Sequence, residues 1–140
     1  MAIQSMLPKG TPFHQNLLIR EWELGNLYDV ENRTLEAKKE FKAAGQLYFR
    51  FHNGESLADV YQRAALFMHT KVHPLAAHGR FDNVILVTHA AFIHMMLAFL
   101  MDWPVEDLQG FQPVENAGVI AVTENSDGYT FEKLFVPSTP

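Results

Sequence analysis

"NVILVTHAAFIHMML", residues 83–97, decides how the chain is read. Val84-Ile85-Leu86-Val87 is an apolar run rich in β-branched side chains, which suit a pleated, buried strand. The run stops at Thr88-His89, and from Ala90 the apolar residues follow a helical pattern. A strand over 83–88 is therefore expected to pass directly into a buried helix over 90–101. In an open α/β sheet, ligands bind beyond the carboxyl ends of the strands. A helix beginning at that point aims its free N–H groups at the same spot and favours an anion there. His89 stands at this step. Position alone serves equally well a core histidine bonded to a backbone carbonyl.

Working outward, "GESLADVYQRAALFMHTKVH" (54–73) is the clearest helix. Ser56 can cap it, with Asp59 answering at the third position as in a capping box. Leu57, Val60, Tyr61, Ala64, Phe67, Met68 and Val72 share one face, and Pro74 is expected to end or kink the helix. "ENRTLEAKKEFKAAG" (31–45) has a helix-forming composition and a C-terminal glycine stop. Pro104 suits the first turn of a short helix through Leu108. "AGVIAVTE" (117–124) and "YTFEKLFV" (129–136) flank the turn "NSDG" (125–128) and read as paired strands. Residues 1–15 read as an N-terminal arm, and 16–140 as the domain. This order of elements implies an α/β sandwich.

With 140 residues and 48% hydrophobic content, the chain is long enough for a real core and too apolar for a disordered tail. Its net charge is -5, and its 11 basic residues form no block, so nucleic acid is not an expected partner. The absence of cysteine excludes a thiolate nucleophile and a disulfide scaffold, and fits a reducing, cytoplasmic setting. No apolar run reaches the length of a membrane span, and the start "MAIQSMLPKG" does not read as a secretory signal.

Four segments together resemble the histidine phosphatase superfamily, the phosphoglycerate-mutase-like proteins. "VILVTHAAFIHMML" resembles the segment holding the family's second histidine, with Ala90 where glycine is usual. "IREWELGNL" (19–27) resembles the segment bearing its proton-donating Glu. "YFRFHNGESLADVYQRAALFM" (48–68) resembles the Gly-Glu-Ser helix entry, in a form most similar to small eukaryotic phosphatases, and "VENAGVIAVTE" (114–124) the late Asn-containing strand. The pieces lie in register across about 120 residues.

The resemblance implies two-step phosphoryl transfer on a small phosphorylated substrate. A first histidine attacks phosphorus and becomes phosphohistidine; arginines and a second histidine hold the equatorial oxygens. A carboxylic acid protonates the leaving oxygen and then assists the attack of water or a second acceptor. Carried over by motif, His89 is the second histidine and Glu21 the acid. Without the resemblance, Glu21 reads as an exposed charge beside Arg20. The start of the helix at Ala90, the late Asn116 and, more weakly, Arg63 are the substrate-binding candidates. Arg63 reads first as structural, reaching from its helix toward the Gly-Glu-Ser corner.

The family's first motif, Arg-His-Gly after an N-terminal strand, does not occur in these 140 residues, nor does the arginine-bearing helix motif that follows it. The fold expectation is thus a partial phosphoglycerate-mutase-like three-layer sandwich whose sheet lacks its N-terminal central strand. Two functions follow. One is a phosphatase or mutase whose chain is truncated and inactive alone, with the short segment between Gly25 and Gly54 favouring phosphatase. The other is a non-catalytic module that binds a phosphorylated ligand or a protein. Either way the open gap implies self-association or a complementing chain. No metal or other cofactor is expected. His69 and His73 have i, i+4 spacing but read as a solvated face, and His94 as at most a rim residue.

Overall fold

Ser56 sets the central helix. Its hydroxyl accepts from the Asp59 amide at 3.2 Å, while Asp59 accepts from the Ser56 amide at 2.7 Å, closing the expected capping box. The computed structural model describes residues 5–29, 31, 34–79, 81–109 and 114–137. Residues 1–4 of the arm and 32–33 of the expected first helix lie outside the described residues. Helix α1 spans Leu35–Ala44, α2 Leu57–Phe67, α3 His73–Ala77 and α4 Ala90–Leu100. Single 3-10 turns cover Leu17–Ile19, Gly25–Tyr28 and Asp107–Gln109. The short helix expected from Pro104 through Leu108 is not formed as such: Pro104 precedes a turn, and helical structure is limited to the 3-10 turn at Asp107–Gln109.

Of the two outcomes expected at Pro74, an end or a kink, the end does not occur: the chain stays helical through Ala77. One π turn, Met68–Val72, follows α2 and leads into α3, where Pro74 sits in the first turn. The N–H that proline lacks is one the start of a helix leaves unbonded anyway. The expected strand pair is present as β1, Val119–Asn125, and β2, Gly128–Phe135. They pair antiparallel, with Asn125 opposite Gly128 across the Ser126-Asp127 turn.

The chain is an α/β protein whose core lies between α2 and α4. Leu57, Val60, Phe92 and Met95 are the largest fully buried side chains. Phe67 meets Phe92 edge-on at 6.0 Å. Leu47, Met68, Ala91 and Leu108 belong to the same cluster, with Leu18, Ile19 and Trp22 packed against it. β2 meets α3 through stacked His73 and Tyr129 rings, 6.4 Å apart, and the segment after α4 through Trp103 and Phe131, 6.1 Å apart.

One expected strand needs correction. Residues 83–88 form no ladder among the described residues, and the sheet described there is the β1–β2 pair. From Ile85 to Thr88 the side chains still alternate. Leu86 packs on the core, while Ile85 and Val87 are 74% and 55% exposed. That is a strand's period of two without a hydrogen-bonded neighbour, and a ladder depends on the neighbour as much as on the run itself.

Candidate active site

The site is assembled from the loop before Gly25 and the start of α4. His89 is the N-cap residue of α4, with extended backbone (φ −124°, ψ 160°) and no side-chain cap bond. Its carbonyl accepts from Ile93 N–H at 2.9 Å, so α4 begins at Ala90. The N–H groups of Ala90, Ala91 and Phe92 precede the first intrahelical bond and point out past His89. Glu21 reaches the same place: its Oε2 lies 3.7 Å from His89 Nδ1, and its Oε1 accepts from the Trp22 amide at 2.8 Å. His89 and Glu21 are about half exposed, so a soluble ligand can reach both.

Arg63 explains how the Glu21 loop holds its shape. The side chain is 7% exposed and uses all five N–H donors within the protein. Its Nε and Nη2 grip the two Glu55 oxygens at 3.0 and 3.1 Å. Its Nη1 donates to the Leu18 and Arg20 carbonyls at 2.7 and 2.9 Å, and Nη2 to the Glu21 carbonyl at 3.2 Å. The substrate-binding role assigned weakly to Arg63 is therefore corrected, because no donor is left for a phosphate. Its guanidinium braces the backbone that carries Glu21, and it lies 5.6 Å from the Phe92 ring centroid.

Glu55 is the second half of this brace. It takes Arg20 as well as Arg63, at 2.5 Å, and accepts from the Glu23 amide at 3.2 Å. Its carbonyl accepts from the Trp22 indole at 2.7 Å. The two loops meet closely enough to require glycine. A Cβ on Gly25, whose φ is +54°, would lie 2.2 Å from the His52 carbonyl oxygen, and one on Gly54 2.5 Å from that of Glu23.

Asn116 is exposed in the turn closed by Gly118 N–H to Glu115 O, and no hydrogen bond among the described residues links it to His89 or Glu21. His94 is no rim residue. It is 8% exposed beside Trp103, with ring centroids 5.6 Å apart, and burial holds its imidazole below the usual histidine range. No group of three metal-ligating side chains occurs among the described residues. His73 Nε2 instead lies 3.3 Å from the Tyr129 hydroxyl, and the His69 and His73 rings meet edge-on at 5.2 Å. Thr88, whose hydroxyl donates to the Ile19 carbonyl at 2.5 Å, escaped the sequence reading, whereas the Glu55 carboxylate lies at the Gly-Glu-Ser corner, where a structural role is expected. The Gly-Glu-Ser corner was the available signal for Glu55; a Thr in a β-branched run gives none.

The family model for the histidine phosphatase superfamily (branch 1) matches residues 3–137. A "Broad-range acid phosphatase DET1" from Saccharomyces cerevisiae is 34% identical over 107 residues, 74% of this chain and 32% of that protein. "Phosphoglycerate mutase-like protein AT74" from Arabidopsis thaliana is 28% identical over 109 residues, 72% of this chain and 34% of that protein. The chain thus spans about a third of the length of these relatives. The solved structure of "Mycobacterial hydrolase 1" shares the fold at a TM-score of 0.62 and 18% identity, over 89% of this chain and 64% of that one. The chain belongs to the histidine phosphatase superfamily, branch 1.

Proposed function

We propose that this chain carries the acid and second-histidine half of a phosphatase acting on a small phosphorylated molecule through phosphohistidine. One observation carries the reading: Glu21 and His89 stand 3.7 Å apart at the N-terminus of α4, half exposed and braced from behind by Arg63. In this reading His89 and the free amides of Ala90 and Ala91 hold equatorial phosphoryl oxygens, where charge accumulates. Glu21 gives its proton to the leaving oxygen as the phosphorus–oxygen bond breaks, then takes one from the attacking water. Hydrolysis is favoured over mutase chemistry by the shortness of the sequence between Gly25 and Gly54. The lack of cysteine suits a cytoplasmic setting.

The nucleophilic histidine belongs to the Arg-His-Gly motif, which these 140 residues do not contain. The reading therefore has this chain bind phosphate but turn over negligibly by itself, and act when a complementing chain or segment supplies the nucleophile. Val84, Ile85 and Val87, all exposed, support such pairing along 83–88. The test is a titration with inorganic phosphate followed by NMR, comparing the natural chain with His89→Ala. Binding that perturbs His89 and the Ala90–Phe92 amides, and is lost in the variant, supports the reading. Equal binding by both proteins overturns it.

A further inference from the structure

His89 and Glu21 belong to segments far apart in sequence, and no ladder joins them. Arg63 shapes the Glu21 loop from the side of α2, which leaves open what fixes that loop against His89. Among the described residues, one hydrogen bond crosses directly between residues 16–24 and 83–89. The Thr88 hydroxyl donates to the Ile19 carbonyl at 2.5 Å, across 69 positions of sequence. Thr88 immediately precedes His89, and Ile19 lies two residues before Glu21. Thr88 is half-buried, on the same side of its run as Leu86, while Ile85 and Val87 turn outward.

We infer that Thr88 is a positioning residue, whose hydroxyl sets the register of the Glu21 loop against His89. The inference deepens the phosphatase reading and rests on it for its purpose. Backbone preference alone does not call for threonine here. Valine has the same shape and the same liking for extended backbone, so the hydroxyl is the atom that distinguishes them. An ion pair at 3.7 Å is too long to be a hydrogen bond and does not hold its own geometry. Arg63 and Thr88 act at neighbouring carbonyls, of Leu18, Arg20 and Glu21 for the first and of Ile19 for the second. Together they fix the loop from two directions. Proton transfer to a leaving group tolerates little misplacement, about an ångström costing on the order of 100-fold.

The experiment uses isotope-labelled protein at one pH with no phosphate present. It reads the His89 Cε1–H resonance in Thr88→Val, Thr88→Ser and Glu21→Gln, and the Glu21 side-chain carboxyl carbon in the two Thr88 variants. Thr88→Val is expected to move both resonances, and to move His89 in the direction that Glu21→Gln moves it. Thr88→Ser is expected to return both to their natural positions, which a merely space-filling role for Thr88 would not require. Thr88→Ala gives the same comparison if the valine variant does not fold. Natural positions for both resonances in the hydroxyl-less variant, or no recovery in Thr88→Ser, overturn the positioning role. Failure of the phosphatase reading shows separately, in the phosphate titration of the natural chain.

Discussion

Glu21 Oε2 lies 3.7 Å from His89 Nδ1, at the open end of α4, where a phosphate would have to sit close to both. The two side chains act on an anion in opposite senses. His89 and the helix amides attract it, while the Glu21 carboxylate repels it. A unit charge about 4 Å away in a water-like medium is worth roughly 1 kcal/mol. Glu21→Gln should therefore tighten inorganic phosphate binding about fivefold, while His89→Ala weakens it. Calorimetric titration of the three proteins at one ionic strength checks this. Weaker binding in Glu21→Gln would show that the carboxylate does not face the anion.

Arg63 should matter more to folding than its side-chain charge suggests. Its removal leaves the Glu55 carboxylate, 14% exposed, with only Arg20 and the Glu23 amide, and takes the buried guanidinium from the Leu18, Arg20 and Glu21 carbonyls. Breaking a buried pair by deleting one partner costs about 3–5 kcal/mol. Arg63→Met should destabilise by that amount. Arg63→Lys should recover little, since one ammonium cannot reproduce a planar five-donor fork. Urea denaturation midpoints measure both. A loss under about 1 kcal/mol in Arg63→Met would mean that the loop holds without its brace.

His94 gives the fold an acid sensitivity of its own. Burial lowers its pKa below 6.5, so the unfolded chain binds the proton more readily than the folded one. Stability from this group is then fully present above about pH 6.5 and declines as the pH falls from there toward the folded-state value. His94→Leu removes the titrating group and should flatten the curve between about pH 7 and pH 5. Thermal melts of both proteins across that range decide it. An identical slope in the variant would assign the acid sensitivity to other groups.

Legibility in the sequence followed locality. The Ser56–Asp59 capping box and the β1–β2 pair were readable because each is fixed by residues a few positions apart. The convergence of Glu21 and His89 was suggested by a resemblance of motifs, since nothing in either segment points to the other. Arg63 was readable as structural, but the carbonyls it reaches lie more than 40 positions away. Thr88 was silent because its partner is a backbone oxygen, which any residue has. Residues 83–88 have a strand's pattern but no ladder, because hydrogen-bonded neighbours are not encoded in the run that needs them. At Pro74 the sequence allows an end or a kink, and the π turn ahead of it keeps the chain helical through the proline.

The last prediction joins assembly to activity. Ile85 and Val87 are exposed, and no main-chain hydrogen bond among the described residues ties 83–87 to another segment. A run that is apolar, β-branched and unpaired invites pairing with another chain. The purified chain should therefore self-associate, and Ile85→Lys should shift it toward monomer, since a charge at such an edge disfavours pairing. Turnover on a generic aryl phosphate should be negligible in both proteins. His89 would have to act as nucleophile without an arginine clamp, because Arg63 is fully engaged with Glu55 and the loop carbonyls. Positioning and charge stabilisation make up most of phosphoryl-transfer catalysis, so a lone histidine gains little. Light scattering and turnover measured on the same samples test both halves. A stable monomer with robust turnover that His89→Ala abolishes would place the nucleophile within this chain and overturn the complementation reading.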